Sequence, residues 1–302
     1  MKNINIFCFG FGQVAKNFIM KLHKENFDIN CDFTYRKDET FDPINYSLTK
    51  YHAKTKLEYE GYQFSDYSFN NKIISKIKKA DYILVSIPPF NGVDIVLKNL
   101  KEVLEESKPK WTTYLSSTSV YGDHQGDWVN EESVTNPTSS NGVDRLEVEK
   151  SWINFSESIN LPLQIFRLSG IYSSNDNILK RLKSGNIKII NNKKSNFFSR
   201  IHLDDISNVL IKSLSRFKKG EIYNISDDKP ASLEEVTLYA CGLLDIQKPE
   251  SIELKNVNSK MLKNFYKNSK KVSNKKMKSF FNYKLKYPTY EEGLSYIRDH
   301  LV

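Results

Sequence analysis

The sequence predicts an α/β protein built around a doubly wound parallel sheet. Short apolar runs typical of buried strands alternate with amphipathic helical segments from the first residues to about Gly170. The first of these runs leads through a glycine-rich turn directly into a helix. With 302 residues, 39% of them hydrophobic, the chain is long enough to bury one large core and a smaller one beside it.

The first strand is predicted over Ile4–Gly10, a nearly continuous apolar run of the kind found in strands that are covered on both faces. A helix is predicted over Gln13–Glu25, because the apolar residues of this segment recur at helical spacing. No spare residues separate the strand, the turn and the helix.

The turn that joins these two elements has the pattern G-x-G-x-x-A. Gly10 permits the tight turn, Gly12 lets the backbone approach a diphosphate, and Ala15 lets the helix pack closely on the strand. Gln13 and Val14 open the helix, where free N–H groups attract an anion. The turn therefore predicts a dinucleotide-binding site, and an ordinary glycine turn is the alternative.

The residues after the second predicted strand bear on the choice of cofactor. This strand ends near Tyr35 and is followed by Arg36 and Lys37. An acidic residue at such a strand end binds the ribose hydroxyls of NAD, whereas a cation pairs with the additional phosphate of NADP. Arg36 and Lys37 therefore predict NADP in preference to NAD, although the nearby Asp38 and simple solvation of the two cations leave NAD open.

A further buried strand is predicted within Lys78–Phe90, where two consecutive prolines stop it. Ligands bind beyond the carboxyl ends of the strands in open α/β sheets. Ser86, Ile87 and Pro88 are therefore predicted to contact the cofactor, on its adenosine side.

The middle of the chain continues the alternation of strand and helix. Strands are predicted over Thr112–Gly122 and Leu161–Tyr172. The segment between them has apolar residues in a helix-like distribution, and Ser139 or Ser140 is suited to cap that helix.

Six short motifs in this order resemble the extended and atypical short-chain dehydrogenases/reductases, in the branch of NAD-dependent epimerase/dehydratase-like proteins. The motifs are GFGQVA, SIPPFNGVD, SSTSVYGD, FRLSGIY, RIHLDDIS and YPTYEEGL. The resemblance implies a Rossmann-type sheet in residues 1–172, completed by about 200–227, and a small C-terminal substrate lobe in residues 173–199 and 228–302. A small-molecule substrate and a monomeric or homodimeric state are also expected.

In that family a serine, a tyrosine and a lysine form the catalytic group, with the last two residues four positions apart on one helix. Ser117 matches the serine, but Asn141 and Arg145 stand where the tyrosine and the lysine are expected. Asn141 does not exchange protons at useful pH, and Arg145 is always protonated. The resemblance places Ser116, Leu168 and Arg145 beside the cofactor, where Arg145 retains the positive charge of the lysine.

Another residue would then have to move the proton. Tyr121 is the first choice, and a purely hydrogen-bonding Tyr121 is the alternative. Other titratable groups nearby are Asp123, His124 and Asp144. The spacing Y-x-x-x-K also occurs at Tyr46–Lys50 and Tyr266–Lys270, but the positions of these pairs in the chain predict that neither reaches the nicotinamide.

The resulting prediction is an NAD(P)-dependent oxidoreductase or epimerase-like enzyme that acts on a small polar substrate of a sugar-like or anionic kind. The alternative is a non-catalytic, NADP(H)-binding redox sensor or regulatory protein, because the Tyr-x-x-x-Lys pair is missing.

Composition bears on four further questions: nucleic-acid binding, membrane spans, cellular compartment and metal binding. The net charge of +9 could attract nucleic acid, but lysine is spread along the whole chain and no basic helix carries stacking aromatics, so nucleic acid is ranked last. No apolar run approaches the roughly 20 residues of a membrane span. Three scattered cysteines without metal-ligand spacing predict a reduced, cytoplasmic protein without a metal. Asp204 and Asp205, beside His202, are predicted to lie at a helix start and not to bind a metal.

Overall fold

A computed structural model describes residues 3–36, 55–185, 187–191, 196–257, 266 and 268–300. The strands are β1 (Asn3–Phe9), β2 (Asp28–Tyr35), β3 (Leu57–Gln63), β4 (Tyr82–Val85), β5 (Trp111–Ser117), β6 (Trp128–Val129), β7 (Leu163–Leu168), β8 (Gly170–Tyr172), β9 (Ile189–Asn191), β10 (Arg200–His202), β11 (Ile222–Ile225), β12 (Ser251–Glu253) and β13 (Lys271–Val272). The helices are α1 (Gln13–Lys24), α2 (Lys72–Lys79), α3 (Ile95–Glu106), α4 (Ser140–Ser158), α5 (Ile178–Lys183), α6 (Leu203–Ser215), α7 (Leu233–Leu244), α8 (Lys275–Phe281) and α9 (Tyr290–Asp299).

Seven of these strands form one sheet in the order β11-β7-β5-β4-β1-β2-β3. The pairs β1/β2, β2/β3, β1/β4 and β4/β5 are parallel. The chain runs outward from β1 to β3, returns to β4 on the other side of β1, and continues outward to β11, so the strand order reverses between β1 and β4. Such a reversal is where open α/β sheets bind ligands. The prediction of a doubly wound, Rossmann-type parallel sheet is confirmed.

The chain divides into two compact units. Unit 1 comprises Met1–Ser116, Glu147–Phe166 and Ser207–Ile222, and unit 2 comprises Ser117–Leu146, Arg167–Ile206 and Tyr223–Val302. The lobe boundaries implied by the family resemblance stay a prediction.

In the core of unit 1, the buried carboxylate of Asp94 joins helices α3 and α4. Asp94 caps α3, since its Oδ1 accepts hydrogen bonds from the N–H groups of Val96 and Leu97, each at 2.9 Å. Its Oδ2 accepts a hydrogen bond from the indole of Trp152 at 3.0 Å. Trp152 is fully buried and stacks near Tyr114, with ring centroids 6.0 Å apart. The start of α3 and the middle of α4 are thereby fixed to the same point of the core.

Unit 2 has its own helical core, in which apolar residues of α5, α7 and α9 pack together. Helix α7 begins at the predicted cap Ser232, whose Oγ accepts a hydrogen bond from the N–H of Glu235 at 3.0 Å. Helix α9 begins with a capping box between Thr289 and Glu292. Among the helices that the structure describes, none is both long and apolar enough to cross a membrane.

Candidate functional site

The glycine-rich turn lies in unit 1, where hydrogen bonds link it to the ends of the neighbouring strands β2 and β4. Gly10 has φ +83°, a conformation that favours glycine. Its N–H donates to Thr34 Oγ1 at the end of β2 over 2.8 Å, and its carbonyl accepts from the Ser86 hydroxyl beyond β4 over 2.9 Å. A Cβ atom on Gly10 would lie 2.9 Å from Ser86 Oγ. Gly10 is therefore required by the fold itself.

Gly12 stands in a different environment. Its φ is −74°, which any residue adopts, and a Cβ atom placed on it would meet no heavy atom within 4 Å. Gly12 is the N-cap of α1, yet it offers no side chain to cap the helix, and the first turn of α1 holds no acidic residue. Gln13, Val14 and Ala15 follow directly; Gly12 and Gln13 are exposed, whereas Val14 and Ala15 are buried, so the open space lies at Gly12 itself. This is the shape that an anion at a helix N-terminus needs.

The other residues predicted to contact the cofactor in unit 1 lie at strand ends. Strand β4 stops at Val85, and Ser86, Ile87 and Pro88 follow it. Arg36 comes directly after β2 and is exposed. Lys37 lies outside the described residues. Ser116, near the end of β5, is buried, and its hydroxyl has no hydrogen-bond partner in the part of the chain that the structure describes.

The predicted catalytic serine lies in unit 2, at the end of β5. Ser117 is partly exposed, and its Oγ accepts a hydrogen bond from the N–H of Ser119 at 3.1 Å. This bond begins the short 3₁₀ helix Thr118–Tyr121. The hydroxyl proton of Ser117 is not used by that bond, so it can be donated to another acceptor.

Tyr121, the first choice for the proton donor, is fully buried. Its hydroxyl donates to Asn224 Oδ1 at 2.8 Å and accepts from Arg167 Nη1 at 3.0 Å. Burial raises the pKa of Tyr121, against the opposing effect of the Arg167 guanidinium. The phenol therefore stays protonated and fixed in an internal network. This arrangement favours the hydrogen-bonding interpretation of Tyr121 that the sequence left open.

Asn141 and Arg145 both lie in α4, in its first two turns and four residues apart. Residues with this separation share a helix face. Asn141 is exposed and Arg145 is partly buried. Between them, Gly142 packs so closely that a Cβ atom on it would lie 2.8 Å from the carbonyl oxygen of Ser119. The first turn of α4 therefore lies against the turn that follows Ser117. Leu168, which ends β7, is also in unit 2 and is buried.

The structure adds Lys270, a residue that sequence reasoning set aside. Its Nζ donates to the carbonyl oxygen of Gly122, 2.9 Å away on the loop directly after Tyr121. Burial lowers the pKa of the Lys270 ammonium to about 8, while the nearby Asp123 carboxylate acts in the opposite direction. The only sequence signal was the Y-x-x-x-K spacing from Tyr266, and it does not reveal a contact between residues 148 positions apart.

The paired carboxylates of unit 2 form structural bonds. Asp205 Oδ1 accepts from the Tyr283 hydroxyl at 2.6 Å and from the N–H of Lys286 at 2.7 Å, and its Oδ2 accepts from the N–H of Tyr287 at 3.1 Å. Asp204 forms an ion pair with Lys286 at 3.0 Å. Both carboxylates lie in the first turn of α6, as predicted. Across the residues described here, no three His, Cys, Asp or Glu side chains are grouped as metal ligands would be.

Comparison with known proteins places this geometry in a family context. Residues 95–226 match the model of the NAD dependent epimerase/dehydratase family. A functionally unknown conserved protein from Silicibacter pomeroyi DSS is 29% identical, with 99% of each chain covered and a TM-score of 0.83. No curated protein matches the chain.

Two further solved structures share the fold at lower identity. UDP-glucuronic acid 4-epimerase from Bacillus cereus, in complex with NAD, is 16% identical, with 100% of this chain and 96% of that one covered and a TM-score of 0.75. dTDP-glucose 4,6-dehydratase from Bacillus anthracis str. Ames, in complex with NAD, is 19% identical, with 99% and 96% covered and a TM-score of 0.75. The resemblance predicted from the motifs is therefore confirmed: in its matched segment and in its fold, the chain is similar to the NAD-dependent epimerase/dehydratase family of extended short-chain dehydrogenases/reductases.

Proposed function

We propose that the chain is an NAD(P)-dependent oxidoreductase or epimerase-like enzyme that acts on a small polar substrate of the sugar-nucleotide kind. The observation that carries the proposal is the open space at Gly12, beside an uncapped helix start, directly after the turn that Gly10 requires. The NAD-bound epimerase and dehydratase that share the fold support the cofactor and the substrate class.

NAD is the better supported form of the cofactor. Both relatives described above were solved with NAD, whereas the preference for NADP rests on Arg36 and Lys37 alone. Arg36 is exposed and stands at the end of β2, a place from which a cation could pair with the additional phosphate of NADP. The structure does not describe Lys37. The choice between NAD and NADP is therefore tested by comparing the affinities of the protein for NADH and NADPH.

The residues of unit 1 are assigned to the dinucleotide. The N–H groups at the start of α1 would bind the diphosphate, with Gly12 providing the room, and Ser86, Ile87 and Pro88 would border the adenosine side. The hydroxyl of Ser116, which lacks a partner among the described residues, would gain one from the bound cofactor. The dinucleotide, when bound, supplies a reversible acceptor of hydride.

The residues of unit 2 are assigned to the substrate and to the charge near it. Ser117 would donate its hydroxyl proton to a substrate oxygen, because the hydrogen bond from the N–H of Ser119 uses an oxygen lone pair and not that proton. Asn141 would add amide hydrogen bonds without exchanging a proton, and Arg145 would supply a permanent positive charge. Tyr121, held by Arg167 and Asn224, would support the turn from inside.

A second function, a cofactor-dependent sensor, is favoured by one observation. Neither Asn141 nor Arg145 can exchange a proton, and the Tyr121 phenol is fully buried in its own hydrogen bonds. A fold that binds the dinucleotide but cannot complete the proton step would report the redox state of its cofactor without turnover.

The test separates binding from turnover. Titration calorimetry with NADH and NADPH measures the affinity of the purified protein for each, and Arg36→Glu measures how much of any NADPH preference depends on that cation. Turnover is then followed with NAD⁺ and NADP⁺ against a panel of UDP- and dTDP-sugars, with Ser117→Ala as the test variant and Ser119→Ala as the matched hydroxyl control.

The enzyme proposal expects submillimolar binding of one cofactor, turnover of at least one sugar nucleotide, and loss of turnover in Ser117→Ala but not in Ser119→Ala. Binding without turnover across the panel favours the sensor. Absence of uptake of both cofactors at millimolar concentration refutes both functions.

A further inference from the structure

Lys270 lies in a segment of unit 2 that is bound tightly to the loop after Tyr121. The N–H of Ser269 donates to Asp123 Oδ1 at 2.7 Å. The carbonyl oxygen of Ser269 accepts from the N–H groups of His124, at 3.1 Å, and Gly126, at 2.9 Å. These three bonds on one residue place the next side chain, Lys270, at a defined position over the loop.

The Lys270 ammonium uses one of its three donors within the described structure. Its Nζ donates to Gly122 at 2.9 Å, and no carboxylate among the described residues lies within ion-pair distance of it. The side chain is only partly exposed. A largely desolvated ammonium with unfilled donors is costly unless an acceptor reaches it. The remaining exposure leaves a route by which a ligand can supply that acceptor.

One carboxylate acts on the Lys270 ammonium, but it forms no ion pair with it in the part of the chain that the structure describes. Asp123 is the nearest acidic group that acts on it, but the Oδ1 of Asp123 accepts from the N–H groups of Gln125 and Ser269. His124 follows on the same loop, and its Nε2 lies 3.1 Å from the carbonyl oxygen of Tyr121. The neighbouring Lys271 is turned elsewhere, since its Nζ lies 4.3 Å from the centroid of the Phe197 ring. Lys270 therefore has no ion-pair partner among the described residues, and its donors beyond the bond to Gly122 can take an anion.

The position relates this ammonium to the hydroxyl-rich turn. Gly122, which accepts from Lys270, also donates its N–H to the carbonyl of Ser119 at 3.2 Å. The same carbonyl of Ser119 faces Gly142, next to Asn141. Lys270 thus stands at the far end of a continuous turn that begins at Ser117, all within unit 2.

We propose that Lys270 binds an anionic group of the substrate, a phosphate or a carboxylate, through the two donors that Gly122 does not occupy. This inference rests on the proposed function, from which it takes the class of substrate. A bound anion would complete the hydrogen bonds of the ammonium and offset its loss of solvation. It would also raise the pKa of Lys270, because a negative charge nearby favours the charged amine.

The sign of the pH dependence follows from that shift. The free protein holds Lys270 at a pKa of about 8, lowered mainly by burial. The anion binds the charged form, so its affinity is complete below this pKa and is lost as the pH rises through it. For a group that titrates near 8, the charged fraction falls about tenfold between pH 7 and pH 9.

The experiment measures anion binding by titration calorimetry in the absence of any dinucleotide. The probes are UDP-glucose, for a diphosphate, and glucuronate, for a carboxylate, each at pH 7 and pH 9. The variants are Lys270→Gln, Lys270→Arg and, as the matched control, Lys271→Gln, which removes the same charge from the adjacent position. Thermal unfolding of each variant is recorded in parallel.

The proposal expects Lys270→Gln to lose about tenfold to a hundredfold in affinity at pH 7 for one probe. Lys271→Gln should bind like the unchanged protein. Lys270→Arg should keep most of the affinity and lose the pH step, because arginine does not titrate in this range. If only the affinity for UDP-glucose depends on Lys270, the anion that this residue binds is a phosphate. If only the affinity for glucuronate depends on it, the anion is a carboxylate.

The proposal is overturned if neither probe shows a Lys270-dependent affinity, or if Lys270→Arg retains the full pH step. If Lys270→Gln fails to fold, the comparison of the unchanged protein with Lys270→Arg still decides. Failure of the proposed function is separate: NADH and NADPH uptake is measured without these probes, so an anion site without cofactor binding, or the reverse, is directly visible.

Discussion

The two glycines of the turn should respond to the same substitution in opposite ways. Gly10→Ala places a methyl group on a residue with φ +83°, 2.9 Å from Ser86 Oγ and 3.1 Å from Ile87 Cγ1. Gly12→Ala places a methyl group on a residue with φ −74° and with no heavy atom within 4 Å. We therefore expect the first change to damage the fold and the second to damage only the binding of the cofactor.

The magnitudes follow from these geometries. A left-handed conformation costs a non-glycine residue about 1–2 kcal/mol. The contact with Ser86 adds to that cost, because its hydroxyl is held by the carbonyl groups of Phe9 and Gly10 and cannot easily move away. Replacing glycine by alanine also restricts the unfolded chain, which stabilises by about 0.4–1 kcal/mol. Gly10→Ala should thus lower the free energy of unfolding by about 2 kcal/mol. Gly12→Ala should change it by less than about 1 kcal/mol, because the restricted unfolded chain is offset by the poor fit of alanine at the N-cap of α1.

Both quantities can be measured on the same samples. Urea unfolding is followed by tryptophan emission, since Trp111 and Trp152 are both buried in unit 1. NADH affinity is measured by titration calorimetry. Gly12→Ala should lose at least tenfold in affinity, about 1.4 kcal/mol, because its methyl group occupies the space assigned to the diphosphate. Equal destabilisation by both changes, or unaltered NADH binding in Gly12→Ala, would refute the reasoning.

Two further predictions concern buried polar groups of unit 2. Tyr121→Phe removes the hydroxyl that joins Arg167 to Asn224. The free energy of unfolding in urea should fall by about 1–3 kcal/mol, and turnover per folded molecule should be unchanged. A loss of turnover at full stability would instead make Tyr121 the proton donor. Asp205→Ala removes the acceptor of three hydrogen bonds and should lower the free energy of unfolding by about 3 kcal/mol or more, whereas Asp204→Ala breaks a partly exposed ion pair with Lys286 and should lower it by less than about 1 kcal/mol. Similar losses in the two aspartate variants would contradict this assignment.

The parts of the fold that local chemistry determines were predicted correctly. Strand β1, the turn at Gly10 and helix α1 are where the sequence placed them, and Ser139 caps α4 through a hydrogen bond from the N–H of Gly142 at 3.2 Å. In each case a short stretch contains the strand pattern, the turn residue or the cap that decides the structure.

Boundaries set by distant partners were not predicted. The apolar run Leu161–Tyr172 predicts one strand, but it forms β7 and β8 in different sheets. The switch occurs because the N–H of Ser169 donates to Ile225, whereas the N–H of Gly170 donates to Ser199. Strand β3, at the edge of the sheet, was not predicted at all, because its sequence LEYEGYQ has no continuous apolar run.

The candidate site divides in the same way. The glycine-rich turn at Gly10 and Gly12 is a local motif, so its residues can be identified from the sequence, and their binding of a dinucleotide stays a prediction. Lys270 could not, because its role depends on a contact with Gly122 across 148 positions of the chain. Conversely, Tyr121 looked available for proton transfer because nothing in its neighbourhood in the sequence announces Arg167 or Asn224.

The positions of Ser117, Tyr121 and Lys270 bear on how the absence of the Tyr-x-x-x-Lys pair is interpreted. If Asn141 and Arg145 occupy the tyrosine and lysine positions, as the resemblance implies, they supply hydrogen bonds and positive charge on α4 but no exchangeable proton, and Ser117 supplies a hydroxyl. In the turn from Ser117 to Gly122 and the groups bonded to it, Lys270 is the group whose pKa is brought close to neutrality, whereas burial moves the pKa of Tyr121 away from it. A substrate that binds at Lys270 would therefore carry the pH dependence of this site, whether or not the chain completes a reaction.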